Sequence, residues 1–246
     1  MNGDFAAVLP YAAAAAAMGI AGGLVSAFWR PGPLVRSYIQ HLAAGLVAAA
    51  VAVELIPRVR EMHGSPAPIL AGFAAGALLM IAIKWFNQRM AEDRKSRSGG
   101  EIPYSLTAAA AIDTGVDGMV IGTGFAVSPE MGAILTLALA LELAFLTMSV
   151  GASLRKEGVG RGITIAATLG VTAMLFAGVL LASFVLRDAS PTVQATALSF
   201  GAAALLYLVA EELLVESREV EESLVSVGLL FAGFLGIFAI ELWSAR

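Results

Sequence analysis

Long apolar runs separated by short polar breaks dominate this chain, and reading the runs against the breaks predicts eight helical spans. They cover approximately 5–28, 38–57, 66–86, 104–126, 131–153, 162–186, 191–215 and 223–243. The breaks carry turn residues: Arg30-Pro31-Gly32-Pro33, Pro57 with Gly64-Ser65-Pro66, Ser128-Pro129, Gly158 to Gly162, and Asp188 to Pro191. Each run approaches the roughly 20 residues a helix needs to cross a bilayer. The runs are too long for strands, and Ala, Leu and Gly fill them. The expected fold is therefore an all-α integral membrane protein of about eight transmembrane helices in a single domain. The longest connection, Asn87 to Pro103, holds Arg89, Arg94, Lys95 and Arg97 and reads as a flexible, solvated loop on the cytoplasmic side.

Composition agrees with a bilayer as the solvent. Of 246 residues, 59% are hydrophobic and 14% charged, and the mean hydropathy is +0.83; soluble domains run nearer half apolar and a quarter charged. The first run lacks a basic leader and is longer than a signal segment, so it is expected to remain as a helix. The chain has no cysteine, which excludes disulfides, thiolate metal sites and thiol chemistry. Scattered basic residues give no support to nucleic-acid binding, and the net charge of −4 is too small to point to a partner. With the N-terminus outside, the inner connections would hold 11 of the 15 Lys and Arg residues and the outer side 4. That asymmetry predicts both termini outside the cytoplasm.

An internal repeat refines the plan. The second span reads His41 to Gly45 and then Glu54-Leu55-Ile56; the seventh reads Ser199 to Ala203 and then Glu212-Leu213-Leu214. The carboxylate follows the first residue by 13 positions in both. The two spans run in opposite directions, so spans 1–3 (about 5–86) and 6–8 (about 162–243) are expected to be inverted repeats flanking a central hairpin (about 104–153), a 3+2+3 arrangement. Inverted repeats around a midplane site are characteristic of transporters.

The candidate chemistry is carboxylate chemistry. Asp113 and Asp117 sit four apart near the middle of span 4, on one helix face, with Thr114 beside them. Glu142 is central in span 5, and the tight Val127–Pro129 turn makes spans 4 and 5 an antiparallel hairpin, so all three acids should meet at one depth. Carboxylates in hydrocarbon are costly and need a partner or a polar cavity. No Lys or Arg lies deep in a span, whereas a divalent cation would neutralise them and accept the oxygen ligands that hard cations prefer. A purely structural alternative leaves the acids protonated and hydrogen-bonded between helices. Glu54, Glu211, Glu212 and Glu241 lie late in their spans, either as pathway residues that attract cations or as solvated helix ends. His41 opens span 2 at the inner side, as an interfacial side chain or a pathway group. His63 in the outer loop carries no signal, and Gly118-x-x-x-Gly122 is a close-packing pattern. Nothing in the chain forms a nucleophile–base pair, so an enzyme is not expected.

The stretch Asp113-Thr114-Gly115-Val116-Asp117-Gly118, continuing to Ile121-Gly122, resembles the fourth-helix motif H-N-x-P-E/D-G of the ZIP (Zrt-/Irt-like) metal transporters. The stretches His41 to Pro57 and Ala202 to Glu216 also look like that family, and the resemblance covers nearly the whole chain. It implies eight helices with a 3+2+3 repeat, metal ligands on helices 4 and 5, and a divalent metal ion (Zn, Mn or Fe) as transported substrate rather than cofactor. By position Asp113, Thr114 and Asp117 take the motif's ligand places. Glu142 matches the fifth helix's H/Q-E/D-x-P-H/E, whereas Leu141 and Phe145 stand where ligands would be. Val116 and Ala144 replace the helix-kinking prolines, and span 6 has no bridging acid. A reduced, all-oxygen site for one ion is expected, favouring manganese, ferrous iron or magnesium beside zinc. The expected setting is a plasma membrane, specifically a bacterial inner membrane, with lipid and the cation as partners and a homodimer allowed. The alternative is a non-transporting relative, a membrane scaffold or metal-sensing binding protein.

Overall fold

The computed structural model describes residues 3–29, 32–95, 104–217 and 223–244. All of them fold as helices and short turns. α1 is Gly3–Phe28, α2 begins with Pro33–Ala49, passes through a π-helical segment Ala50–Leu55 and ends with Ile56–Glu61, and α3 is Pro66–Lys95. α4 is Tyr104–Val127, α5 is Pro129–Lys156 and α6 is Arg161–Leu186. α7 begins with Pro191–Tyr207, passes through a second π-helical segment Leu208–Leu213 and ends with Leu214–Ser217; α8 is Leu224–Ser244. All eight are long and apolar enough to cross a membrane. Their outward faces carry large apolar side chains such as Leu78, Phe184 and Phe231, each at least 60% exposed. Water would penalise so much exposed apolar surface, and acyl chains would not. The chain has the make-up of a multi-pass membrane protein.

Local chemistry sets the helix ends. Pro33, Pro129 and Pro191 occupy the first helical turn, where the missing N–H costs nothing. The hydroxyls of Ser128 and Ser190 accept hydrogen bonds from Met131 N at 3.1 Å and Val193 N at 3.4 Å, capping α5 and α7. α5 stops where Gly158 takes a left-handed φ of 82°, with Val159 N donating to Leu154 O at 3.1 Å and Gly158 N to Arg155 O at 3.2 Å. Arg155 and Lys156 in its last turn complement the helix dipole.

Two expected boundaries are corrected. α2 starts at Pro33 rather than near 38, because proline is preorganised for that position. α3 does not end at Phe86. It runs nine residues further, to Lys95, through Gln88, Arg89, Met90 and Ala91, which are good helix formers with no glycine or proline among them. The guanidinium of Arg89 lies 4.2 Å from the centre of the Trp85 ring, a cation–π contact that ties this extension back onto the apolar part of the helix. The rest of the expected loop, 96–103, lies outside the described residues.

The second group of three helices repeats the first at a constant offset of 158 residues. Gly3–Phe28 corresponds to Arg161–Leu186, Pro33–Ala49 to Pro191–Tyr207, Ala50–Leu55 to Leu208–Leu213, and Pro66 to Leu224 at the start of the third helix. Packing follows the same correspondence. α1 lies along α5 as α6 lies along α4, and α2 lies along α8 as α7 lies along α3. Glycine makes these approaches close. An added Cβ at Gly45 or Gly233 would run into the backbone of the facing helix in the α2–α8 pair, and one at Gly72 or Gly76 would do so in the α3–α7 pair.

Candidate metal centre

α4 and α5 form an antiparallel hairpin joined by Ser128 alone. Asp113 and Asp117 precede Ser128 by 15 and 11 residues, and Glu142 follows it by 14. At about 1.5 Å per residue all three fall about 16–23 Å from the turn, so the acids share one depth. One oxygen from each of Asp113, Asp117 and Glu142 lies within 4.8 Å of the others. Two oxygens bound to one cation at about 2.0–2.6 Å are separated by at most about 5 Å, so the cluster is one ion wide. Among the described residues it is the one group of three or more acidic, His or Cys side chains that converges in this way.

The cluster is buried: Asp113 is 6% exposed, Asp117 3%, Glu142 2% and Thr114 0%. Asp117 Oδ2, Glu142 Oε2 and Thr114 Oγ1 have no hydrogen-bond partner. An unsatisfied buried oxygen ordinarily costs about 1–3 kcal/mol, more if charged. Three of them on one spot make a ligand set without its cation. The charges acting on the three acids are those of one another and of Glu212; none is positive.

The helices behind the acids hold this geometry. At about 100° per residue, Gly115, Gly118 and Gly122 fall on the side of α4 opposite Asp113 and Asp117. That side meets α6, where a Cβ at Gly118 would collide with Leu175 O and one at Gly122 with Val179 O. α5 shows the same division. Its face opposite Glu142 meets α1, where Gly22 abuts Ala144 O and the Thr147 hydroxyl donates to Gly19 O at 2.8 Å. Each acid-bearing helix is thus gripped from behind by a glycine-tight neighbour, leaving its carboxylates to face the other. Residues 116 and 144, where prolines were looked for by resemblance, are part of uninterrupted helix.

No protein-family model and no curated protein matches this chain. The site therefore has to be read from its own residues.

The remaining sequence candidates separate. Glu54 and the pair Glu211–Glu212 lie in the two π-helical segments, at corresponding positions. Such segments add a residue to one turn and are frequent at functional sites. Glu212 is half-buried and its charge acts on Asp117 and Glu142, so it stands beside the cluster. Glu54 instead hydrogen-bonds Glu241 of α8 and lies near Arg58 and Glu61. Glu211 pairs with Lys84 of α3 at 2.5 Å, with both side chains partly exposed. His41 does not open α2 as expected. The helix begins eight residues earlier, and His41 is buried with Nδ1 2.8 Å from Ser37 O, away from the acidic cluster. Phe145 is buried, and Leu141 packs against the core.

Sequence reasoning missed two participants. Lys84 reads as an end-of-span cation, yet it bridges to a residue 127 positions away. Tyr207, next to the second π-helical segment, has a buried hydroxyl with no hydrogen-bond partner, and its ring lies 5.9 Å from Lys84 Nζ. Nothing in the local pattern marks either contact.

The Lys84–Glu211 pair gives a sharp test of which acid belongs to the site. Glu211→Gln should leave divalent-metal affinity, measured by isothermal titration, within about twofold of wild type, because a partly exposed ion pair is worth at most about 1 kcal/mol. Glu212→Gln should weaken it measurably, since that charge reaches the cluster. Equal losses in both variants would contradict this division.

Proposed function

We propose that the protein is a transporter for a divalent metal cation, similar in plan to the ZIP family, which carries the ion toward the cytoplasm through a midplane site made of Asp113, Asp117 and Glu142, with Thr114 as a further oxygen ligand. The observation that carries this reading is the convergence of three buried carboxylates, with orphaned oxygens and no basic partner, midway along two membrane-length helices. Charges of that kind in a membrane helix belong to ion paths when they face one another.

The 158-residue correspondence of helix ends, π-helical segments and packing partners supports a 3+2+3 plan with two inverted repeats around the hairpin. The helices group as α1, α4, α5 and α6 around the acids, with α2–α8 and α3–α7 as flanking pairs. Rocking of the central group against the flanking pairs would expose the site alternately to each side, both termini lying outside the cytoplasm of a plasma membrane. With oxygen donors alone, the site suits manganese, ferrous iron or magnesium as well as zinc. A single ion fits its width.

The second reading, a metal-binding scaffold or sensor that does not conduct, is favoured by Leu141 and Phe145, which fill with hydrocarbon the places where the resemblance implies ligands. Uptake of manganese, zinc and ferrous ions into proteoliposomes, measured beside bound-metal stoichiometry, separates the two. Flux that vanishes in Asp117→Asn supports the transporter, stoichiometric binding without flux supports the scaffold, and neither binding nor flux refutes both.

Selectivity offers an independent check. Phe145 is three residues beyond Glu142 on the same helix face. Phe145→His adds an imidazole there and should shift the zinc-to-manganese affinity ratio toward zinc by roughly tenfold. Competition binding with the two ions measures it, and an unchanged ratio would show that this position does not reach the ion.

A further inference from the structure

Away from the metal centre, a cavity of about 690 Å³ opens between α3 and α7 on one side and α4 and α6 on the other. It keeps α6 apart from the α3–α7 pair, although α6 and α7 share a short turn. Its walls are almost wholly apolar: Val120 and Met119 form the α4 wall, Leu181 and Val185 the α6 wall, and Phe200 and Ala197 part of the α7 wall. From Thr192 to Phe200 the cavity follows α7 for eight residues, roughly 12 Å of depth.

Water has little to hold it there. The hydroxyls of Thr123 and Thr196 are turned back onto the carbonyls of Met119 and Thr192, each at 2.7 Å. Apolar cavities without free polar partners stay dry. This one is open laterally along helices that span the membrane, and Leu181, Val185 and Val193 expose about half or more of their surface beside it. At the end marked by Leu186, the next residue is the exposed Arg187, a cation that complements a lipid phosphate.

We propose that this cavity is a binding site for one phospholipid, whose acyl chain lies between α3–α7 and α4–α6 and whose phosphate is held near Arg187. The occupant is a bilayer lipid because its tail matches the dry walls, the opening faces the membrane, and the charge stands at the interfacial end. The inference is independent of whether the protein conducts metal.

Native mass spectrometry of the detergent-purified full chain, equilibrated with palmitoyl-oleoyl phosphatidylglycerol and then exchanged into delipidating detergent, tests it. Wild type should retain one lipid per chain. Ala197→Phe and Ala75→Phe, which fill the cavity from different walls, should lower that occupancy at least tenfold, while Leu78→Phe, on the same outer surface but away from the cavity, should not. Retention equal to wild type in the two filled variants, or no retained lipid in wild type, overturns the proposal. Should a filled variant fail to fold, photo-crosslinking of wild type with a diazirine-tailed analogue of the same lipid decides. Label on Val120, which is 3% exposed and reachable through the cavity, supports the site, and label confined to exposed residues such as Leu181 and Val193 overturns it.

Discussion

Asp117→Asn should abolish metal-dependent stabilisation of the purified protein while leaving the metal-free protein at least as stable as wild type. The two halves of this expectation have one cause. Asp117 lies between Asp113, four residues back on α4, and Glu142 on α5, and supplies an oxygen to their shared 4.8 Å cluster. Without a cation the three acids oppose one another, so an isosteric neutral side chain removes repulsion and keeps the packing. With a cation, the same change deletes one of the few charged ligands in a buried site, and affinity should fall at least about 100-fold, or about 2.7 kcal/mol. In wild type, metal at about 100 times its dissociation constant should add about 2.7 kcal/mol of stability, a rise of roughly 5–10 °C in melting temperature for a chain of this size. Thermal unfolding with and without manganese, paired with elemental analysis, reads both effects. A full metal-induced rise in Asp117→Asn would mean that the ion sits elsewhere.

Gly118→Val should be the most damaging single change in the helix framework. The new Cβ would meet the carbonyl oxygen of Leu175, and that atom is backbone, fixed in the α6 helix and unable to rotate away. Gly122 faces Val179 O and Gly178 faces Gly115 O along the same seam, so α4 could yield only by separating from α6 over its length. That would also carry Asp113 and Asp117 away from Glu142. Overpacking of this kind costs about 1–3 kcal/mol where side chains can adjust and should exceed about 3 kcal/mol here, where they cannot. We expect loss of the monodisperse protein in detergent, or a melting temperature lower by about 10 °C. Gly170→Ala on α6 provides the control. Nothing lies within 4 Å of the added Cβ, and relief of helical glycine entropy should leave stability unchanged or raise it by about 0.5–1 kcal/mol. Equal damage from both would mean that α4 and α6 do not pack as closely as described.

The acids of α4 illustrate how far local pattern reaches. Their spacing of four residues fixes a shared face in any α-helix, and the one-residue turn at Ser128 fixes the depth at which Glu142 returns. Both follow from the rise and twist of the helix. The spacing of 13 residues from His41 to Glu54 and from Ser199 to Glu212 disclosed the repeat, although the motif spans only part of a correspondence that extends to the helix ends. The π-helical segments at Ala50–Leu55 and Leu208–Leu213 left no such trace. Nothing in Ala-Val-Ala-Val-Glu-Leu departs from an ordinary helical run, and the widened turn depends on what surrounds it.

Pathway residues were the least legible. Glu54, Glu211 and Glu212 look alike as late-span acids, yet one meets Glu241, one meets Lys84 and one acts on the metal cluster. Which neighbour each finds depends on helices 30 to 190 residues away. Likewise, the glycines of α4 read only as a packing face, and the partner pressed against them turned out to be α6 rather than α5.

The chain alone determined eight apolar helices, their order, and the presence of three acids at one depth, because hydrophobic length and helical periodicity are properties of a segment by itself. Only the tertiary structure decided that those acids face one another with their oxygens unsatisfied, that Glu212 joins them and Glu54 does not, and that His41 is buried apart. In hydrocarbon, helices choose neighbours by close fit of small residues and by satisfaction of polar groups, and both are relations between segments distant in sequence.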